Sequence, residues 1–134
     1  MDSKNFEYQV GLAEAYILTE NHDKALAIYE RVLESNESNK QIHLNLITIL
    51  YEVGNIDEAL KHIETIVEKF DDISDLLYIK VAFLYEQERR DDAILALYDA
   101  LENNFETHQF LFELLPSVEE DEEFLKIVKD FSKK

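Results

Sequence analysis

Cysteine is absent from the 134 residues, proline occurs once, glycine twice, and 13 Lys and Arg stand against 30 Asp and Glu. Each shortage excludes something. Without cysteine there are no disulfides and no thiolate chemistry, while the compartment is left open. Two glycines cannot build a phosphate-cradling loop. So little glycine and proline also argues against a many-turned β-protein, whose strand connections need them. The formal charge of −17 repels phosphate, which speaks against nucleic-acid binding and against a peripheral helix on an anionic membrane. Long hydrophobic runs are missing too: the longest uncharged stretch, Gln41 to Tyr51, is far too short to span a bilayer. The opening Met1-Asp2-Ser3-Lys4-Asn5-Phe6-Glu7 has no basic region followed by an apolar run, so neither a signal peptide nor membrane insertion is expected. The expectation is a cytoplasmic protein.

Apolar content is ample, at 46% hydrophobic residues, enough for the core of one domain or a short repeat array. It is also periodic. The triplets Asp23-Lys24-Ala25, Asp57-Glu58-Ala59 and Asp91-Asp92-Ala93 recur 34 residues apart. Further columns hold the same register: Tyr16, Leu50 and Leu84; Ile17, Tyr51 and Tyr85; Leu26, Leu60 and Ile94; Tyr29, Ile63 and Leu97; Leu33, Val67 and Leu101. A chance triplet would not bring these columns with it.

Each unit reads as two amphipathic helices and a tight turn. In the second, Ile42, Leu46, Ile49, Leu50 and Val53 sit at helical spacing, and Gly54-Asn55 stops the helix. Asn55 is expected to cap the next helix, and Asp57 and Glu58 place negative charge in its first turn, where the helix dipole favours it. Leu60, Ile63, Ile66 and Val67 supply that helix's apolar stripe. The recurring alanine lets the paired helices approach closely where they cross. Helices are predicted near 5–19, 23–35, 40–53, 57–69, 74–87, 91–103, 108–115 and 120–131. In the last stretch Phe110, Leu111, Leu114 and Leu115 form a short helix that Pro116 ends or kinks. The acids 119–123 then lead into a final amphipathic helix bearing Phe124, Leu125, Ile127, Val128 and Phe131.

A 34-residue helix pair with Gly54-Asn55-Ile56-Asp57-Glu58-Ala59 at its turn resembles the tetratricopeptide repeat family. The likeness covers residues 6–107, as repeats 6–39, 40–73 and 74–107; closing helices over 108–134 are expected to complete a single domain over 1–134. Departures are visible: the turn glycine is Glu20 in the first repeat and Glu88 in the third, and the repeat-ending proline is Glu37, Asp71 and Phe105. The run from Phe105 to Phe112, with Pro116 after it, is also similar to the C-terminal end of longer bacterial tetratricopeptide-repeat proteins. The resemblance implies an all-α fold, a right-handed α-solenoid of three helix pairs with a closing helix pair.

The resemblance also implies which side chains line a concave groove. They are Glu7, Val10, Glu14, Ile17 and Leu18; Gln41, Leu44, Thr48, Tyr51 and Glu52; and Asp75, Tyr78, Ala82, Tyr85 and Glu86, extended by Gln109 and Phe112. The row carries acids and no bases. The carboxylate clamp of chaperone-binding relatives is absent, because its places hold Val10, Glu14, Asn45, Asp75 and Ile79, and only Asn45 fits. Acids around tyrosines suit an apolar or amphipathic segment bearing Lys or Arg. The implied function is a non-catalytic adaptor, a monomer or weak homodimer that binds another protein or peptide. The alternative is a structural or self-associating piece of a longer repeat array.

Nothing else in the chain points to chemistry. His22, His43, His62 and His108 never fall four residues apart, so no helix face presents two of them as metal ligands. The serines lack any nucleophile-elbow context. The acids 119–123 have neither the alternating ligands nor the turn glycine of a calcium loop, and read as helix-start charge. No cofactor and no metal are expected.

Overall fold

The computed structural model describes residues 3–133, and among them every regular element is helical. They form two compact units, one ending at Lys69 and the other beginning at Phe70, close to the boundary between the second and third repeats. The first unit contains α1 (Ser3–Leu18), α2 (His22–Ser35), α3 (Lys40–Glu52) and α4 (Ile56–Ile66). Each of these helices packs on the next in the chain. The second contains α5 (Ser74–Glu86), α6 (Arg90–Asn103), a 3-10 turn over Phe105–Thr107, α7 (Gln109–Leu114), α8 (Pro116–Glu119) and α9 (Glu122–Ser132). Here α5 packs on both α6 and α7, and α9 returns to α6.

The inter-helix turns show how strongly the register dictates backbone shape. Gly54 ends α3 with φ +91°, in the region that favours glycine. Its N–H reaches the Tyr51 carbonyl at 3.1 Å, and the Asn55 N–H reaches that of Leu50 at 2.8 Å. This pair of bonds is a Schellman motif, which satisfies carbonyls left open at the helix end. One repeat away on either side, Glu20 and Glu88 adopt φ 62° and 60° without being glycine. They close the same bonds: Glu20 and Asn21 to Ile17 and Tyr16, Glu88 and Arg89 to Tyr85 and Leu84. The left-handed region costs an L residue about 1–2 kcal/mol. The packing of the helices on either side of the turn outweighs that penalty.

Ala25, Ala59 and Ala93, the recurring alanine, are all fully buried. Any larger side chain there would push α2, α4 or α6 off its partner. Around them the first unit buries Ile28, Tyr29, Ile42, Ile47 and Ile63, and the second Leu76, Val81, Leu97, Leu101 and Leu111.

Three local details differ from expectation. Asn55 stands at the N-cap of α4, but its side chain makes no capping bond. A side-chain cap is made at α3 instead, where Asn39 accepts the Ile42 N–H at 3.1 Å. Second, α4 stops at Ile66, and Lys69 bonds back to Ile66 in a tighter turn. The acids Glu68, Asp71 and Asp72 that follow are unfavourable at the negative end of a helix dipole. Third, Pro116 opens the short α8 as well as ending α7, since its missing N–H is not needed in a first turn.

Candidate interaction surface

In the first unit, one side of α3 is buried through Ile42, Leu46, Ile49 and Leu50, and the other carries the predicted row. Leu44 and Tyr51 are half-buried there, while Thr48 and Glu52 are exposed. Thr48 turns its hydroxyl onto the Leu44 carbonyl at 2.9 Å, so it adds little polarity to the face. Glu52 lies 3.8 Å from His22 Nε2 on α2. On α1, Val10 is half-buried and Glu14 exposed, and Leu18 at the helix end is 86% exposed.

A residue of α2 that the sequence did not single out for this face lies beside α3. Tyr29 of α2 is fully buried, and Asn45 Nδ2 donates to its hydroxyl at 3.4 Å. Burial pushes the Tyr29 phenol above its ordinary pKa, the bond from Asn45 opposes this, and the nearby Glu14 charge adds to it. Asn45 thus ties α3 to α2 through one neutral hydroxyl.

In the second unit the corresponding row is closed, which corrects part of the expectation. Tyr78 is fully buried and donates to the Asn104 carbonyl at 2.8 Å, and burial pushes its pKa up to about 12. Ala82 and Phe112 are buried as well. These three are core, because α7 packs directly on α5. Tyr85 is half-buried but engaged: its hydroxyl donates to Asp121 Oδ2 at 2.9 Å, and its ring meets Phe124 edge-on at 5.0 Å. Glu86 remains exposed, at the edge of a cavity of about 500 Å³ that Tyr85, Arg90, Leu115 and Ser117 also line.

Asp121 is the hub of this closure. Its Oδ1 accepts the N–H groups of Glu123 and Phe124, capping α9. Both its oxygens also receive the Arg90 guanidinium, at 2.7 and 2.8 Å, in a fork. The Arg90 hydrogen bonds hold the Asp121 carboxyl far below the usual carboxylate range, helped by the Phe124 N–H and the Tyr85 hydroxyl. Arg90 further reaches Glu123 at 2.9 Å and lies over the Phe124 ring.

A second unforeseen cluster pairs His43 on α3 with His62 on α4. His43 is buried, with Nε2 2.8 Å from the Glu37 carbonyl, so Nε2 carries the hydrogen. Its Nδ1 then accepts from His62 Nε2, 3.1 Å away, in the neutral pair. Burial lowers the His62 pKa, as do the charges of His43 and Lys69. His62 also lines a cleft of about 430 Å³ floored by Leu33, Leu46 and Leu50. Among the described residues no group of three or more His, Cys, Asp or Glu is placed to hold a metal ion. Nor is any described helix long and apolar enough to cross a membrane.

Helix pairs in a 34-residue register, with the small residue buried at each crossing, define a class of repeat protein. Residues 16–81 match the family model of the tetratricopeptide repeat. Over that stretch the chain carries tetratricopeptide repeats, and its fold class is the all-α solenoid. Solved structures of similar fold include a MamA protein, at TM-score 0.65 and 14% identity over 98% of this chain and 75% of that one. MamA of AMB-1 aligns at 0.60 and 19% identity, covering 96% and 73%. TTC0263, a thermophilic TPR protein of Thermus thermophilus, aligns at 0.56 and 20% identity, covering 96% and 75%. At these identities the likeness is one of fold. No curated protein matches the chain.

Proposed function

We propose that the chain is a non-catalytic protein-interaction module whose α1 and α3 face, in the first unit, binds an apolar segment of another protein carrying Lys or Arg. One observation supports this reading: Val10 on α1 and Leu44 and Tyr51 on α3 are only half-buried, while Glu14, Thr48 and Glu52 on the same helices are exposed. Tyr51 offers a rigid amphipathic anchor, and the acids supply steering and selectivity. The net charge of −17 opposes self-association, so the reading is of a monomer.

A protein captured on the purified chain and then titrated directly provides the test. Replacing exposed Thr48 by Arg should block the face, and Tyr51→Ala should weaken binding by about 1–2 kcal/mol. Reversing Glu14 and Glu52 to Lys should slow association and flatten its salt dependence. A partner that binds these variants as it binds the native chain moves the site elsewhere. Light scattering that shows a stable dimer without partner favours the self-associating scaffold instead.

A further inference from the structure

The third repeat breaks the register on the outside of its second helix. Leu95 falls in the column of Ala27 and Lys61, and Tyr98 in the column of Glu30 and Glu64. Two positions that are small or charged in the other repeats are large and apolar here. Neither has turned inward. The buried side of α6 consists of Ala93, Ala96, Leu97, Ala100 and Leu101, while Leu95 is 66% exposed and Tyr98 41% exposed. Three residues apart, they stand side by side on one helix face.

Their surroundings are acidic. Asp91 lies one turn before Leu95, Asp99 one turn after it, and Glu102 one turn after Tyr98, all exposed. The two bases at the start of α6 are committed elsewhere: Arg89 pairs with Asp92 at 3.0 Å, and Arg90 with Asp121 and Glu123. From Asp91 to Leu125 the chain contains no lysine or arginine at all.

We propose that this outward face of α6 is a second docking surface, distinct from the α1 and α3 face, and that it takes an amphipathic, lysine- or arginine-bearing helix of another protein. Leu95 and Tyr98 form a ridge that seats between apolar residues one turn apart on the incoming helix. Asp91, Asp99 and Glu102 meet its cations. A second copy of this chain is the wrong occupant, since pairing two such faces would set acids against acids.

The probe is a synthetic leucine–lysine amphipathic helix, about 27 Å long at 1.5 Å rise per residue, titrated by fluorescence anisotropy and by NMR. Its control is the same peptide with glutamine in place of leucine. The decisive variant, Leu95→Lys with Tyr98→Glu, restores residue types found in the other repeats and leaves the net charge unchanged. Binding should fall at least tenfold in that variant, with helicity preserved, and the control peptide should not distinguish it from the native chain. In the native chain, amide shifts should map to 91–102. If the double variant folds poorly, Tyr98→Glu alone serves, with weaker binding expected, and Asp99→Asn with Glu102→Gln should flatten the salt dependence. Equal affinity in the apolar-patch variants overturns the proposal, as do shifts confined to Val10, Leu44 and Tyr51. Sedimentation showing a native dimer that the double variant abolishes assigns the face to a second copy, and likewise overturns it.

Discussion

The helices α3 and α5 occupy the same place in successive repeats, yet one row of equivalent side chains is open and the other is shut. Leu44 and Tyr78 share a column, as do Tyr51 and Tyr85. On α3 they stand half-buried beside exposed Thr48 and Glu52; on α5, Tyr78 is wholly buried and Tyr85 is bonded to Asp121. The difference lies in what arrives afterwards. Residues 104–124 settle on α5 and convert a lining position into a core position. A register position therefore sets the direction of a side chain, and its neighbours decide whether that direction leads to water.

The sharpest way to break this comparison is a matched pair of truncations. Tyr78→Ala should destabilise the second unit by about 3–5 kcal/mol, as large-to-small changes in packed cores do. Leu44→Ala should cost about 1 kcal/mol, because the side chain is only half-buried. Equal losses in thermal or urea unfolding would mean the two rows are equivalent after all.

Removing the clasp comes next. Asp121→Ala deletes an N-cap, worth about 1 kcal/mol, and leaves the Tyr85 hydroxyl and the Arg90 fork without their acceptor, so a total near 2–3 kcal/mol is expected. The carboxyl's depressed pKa fixes the sign of the pH dependence. Its stabilisation is complete above the unfolded value near 3.8 and is lost as pH falls below it. The first unit should respond to acid earlier. His62 has a lowered folded pKa, so protons favour its unfolded form, and stability should decline as pH drops through the unfolded value of 6.5. Hydrogen exchange resolved by residue should show α3 and α4 loosening near pH 6 while α5 and α9 hold. His62→Gln should remove most of that early phase.

The smallest effects concern the turns. Glu20→Gly and Glu88→Gly should each stabilise by about 0.5–1 kcal/mol, the relief of left-handed strain offset by glycine's larger unfolded-state freedom. Gly54→Ala should destabilise by a similar amount, although nothing lies within 4 Å of an added Cβ, because its φ alone is unfavourable. A melting-temperature series reads all three.

The fold was legible because its signals repeat: Ala25, Ala59 and Ala93 fix the crossings, and the apolar columns fix the helix faces. Even the turns could be placed through glutamates that disfavour the conformation, since the register located them. The first unit's share of the candidate site was legible for the same reason. The second unit's share was not, because burial of Tyr78, Ala82 and Phe112 depends on where a later segment docks, which no local period encodes. Asp121 was hidden among five consecutive acids, and only the structure shows which one faces Arg90. His43 and His62 lie 19 positions apart on different helices, a separation with no helical meaning.

The closure over α5 differs from an ordinary complex in one respect. Its occupant is joined to α6 by the backbone, so docking surrenders no translational freedom, whereas a separate protein laid on α3 surrenders all of it. Few polar contacts therefore suffice: two tyrosine hydroxyls from α5, one caged ring, and one guanidinium fork from the start of α6. The local concentration of that occupant never changes with the amount of protein in solution, and the α5 face is permanently saturated. A partner at either proposed docking face, on α3 or on α6, would instead fill it in proportion to its own concentration.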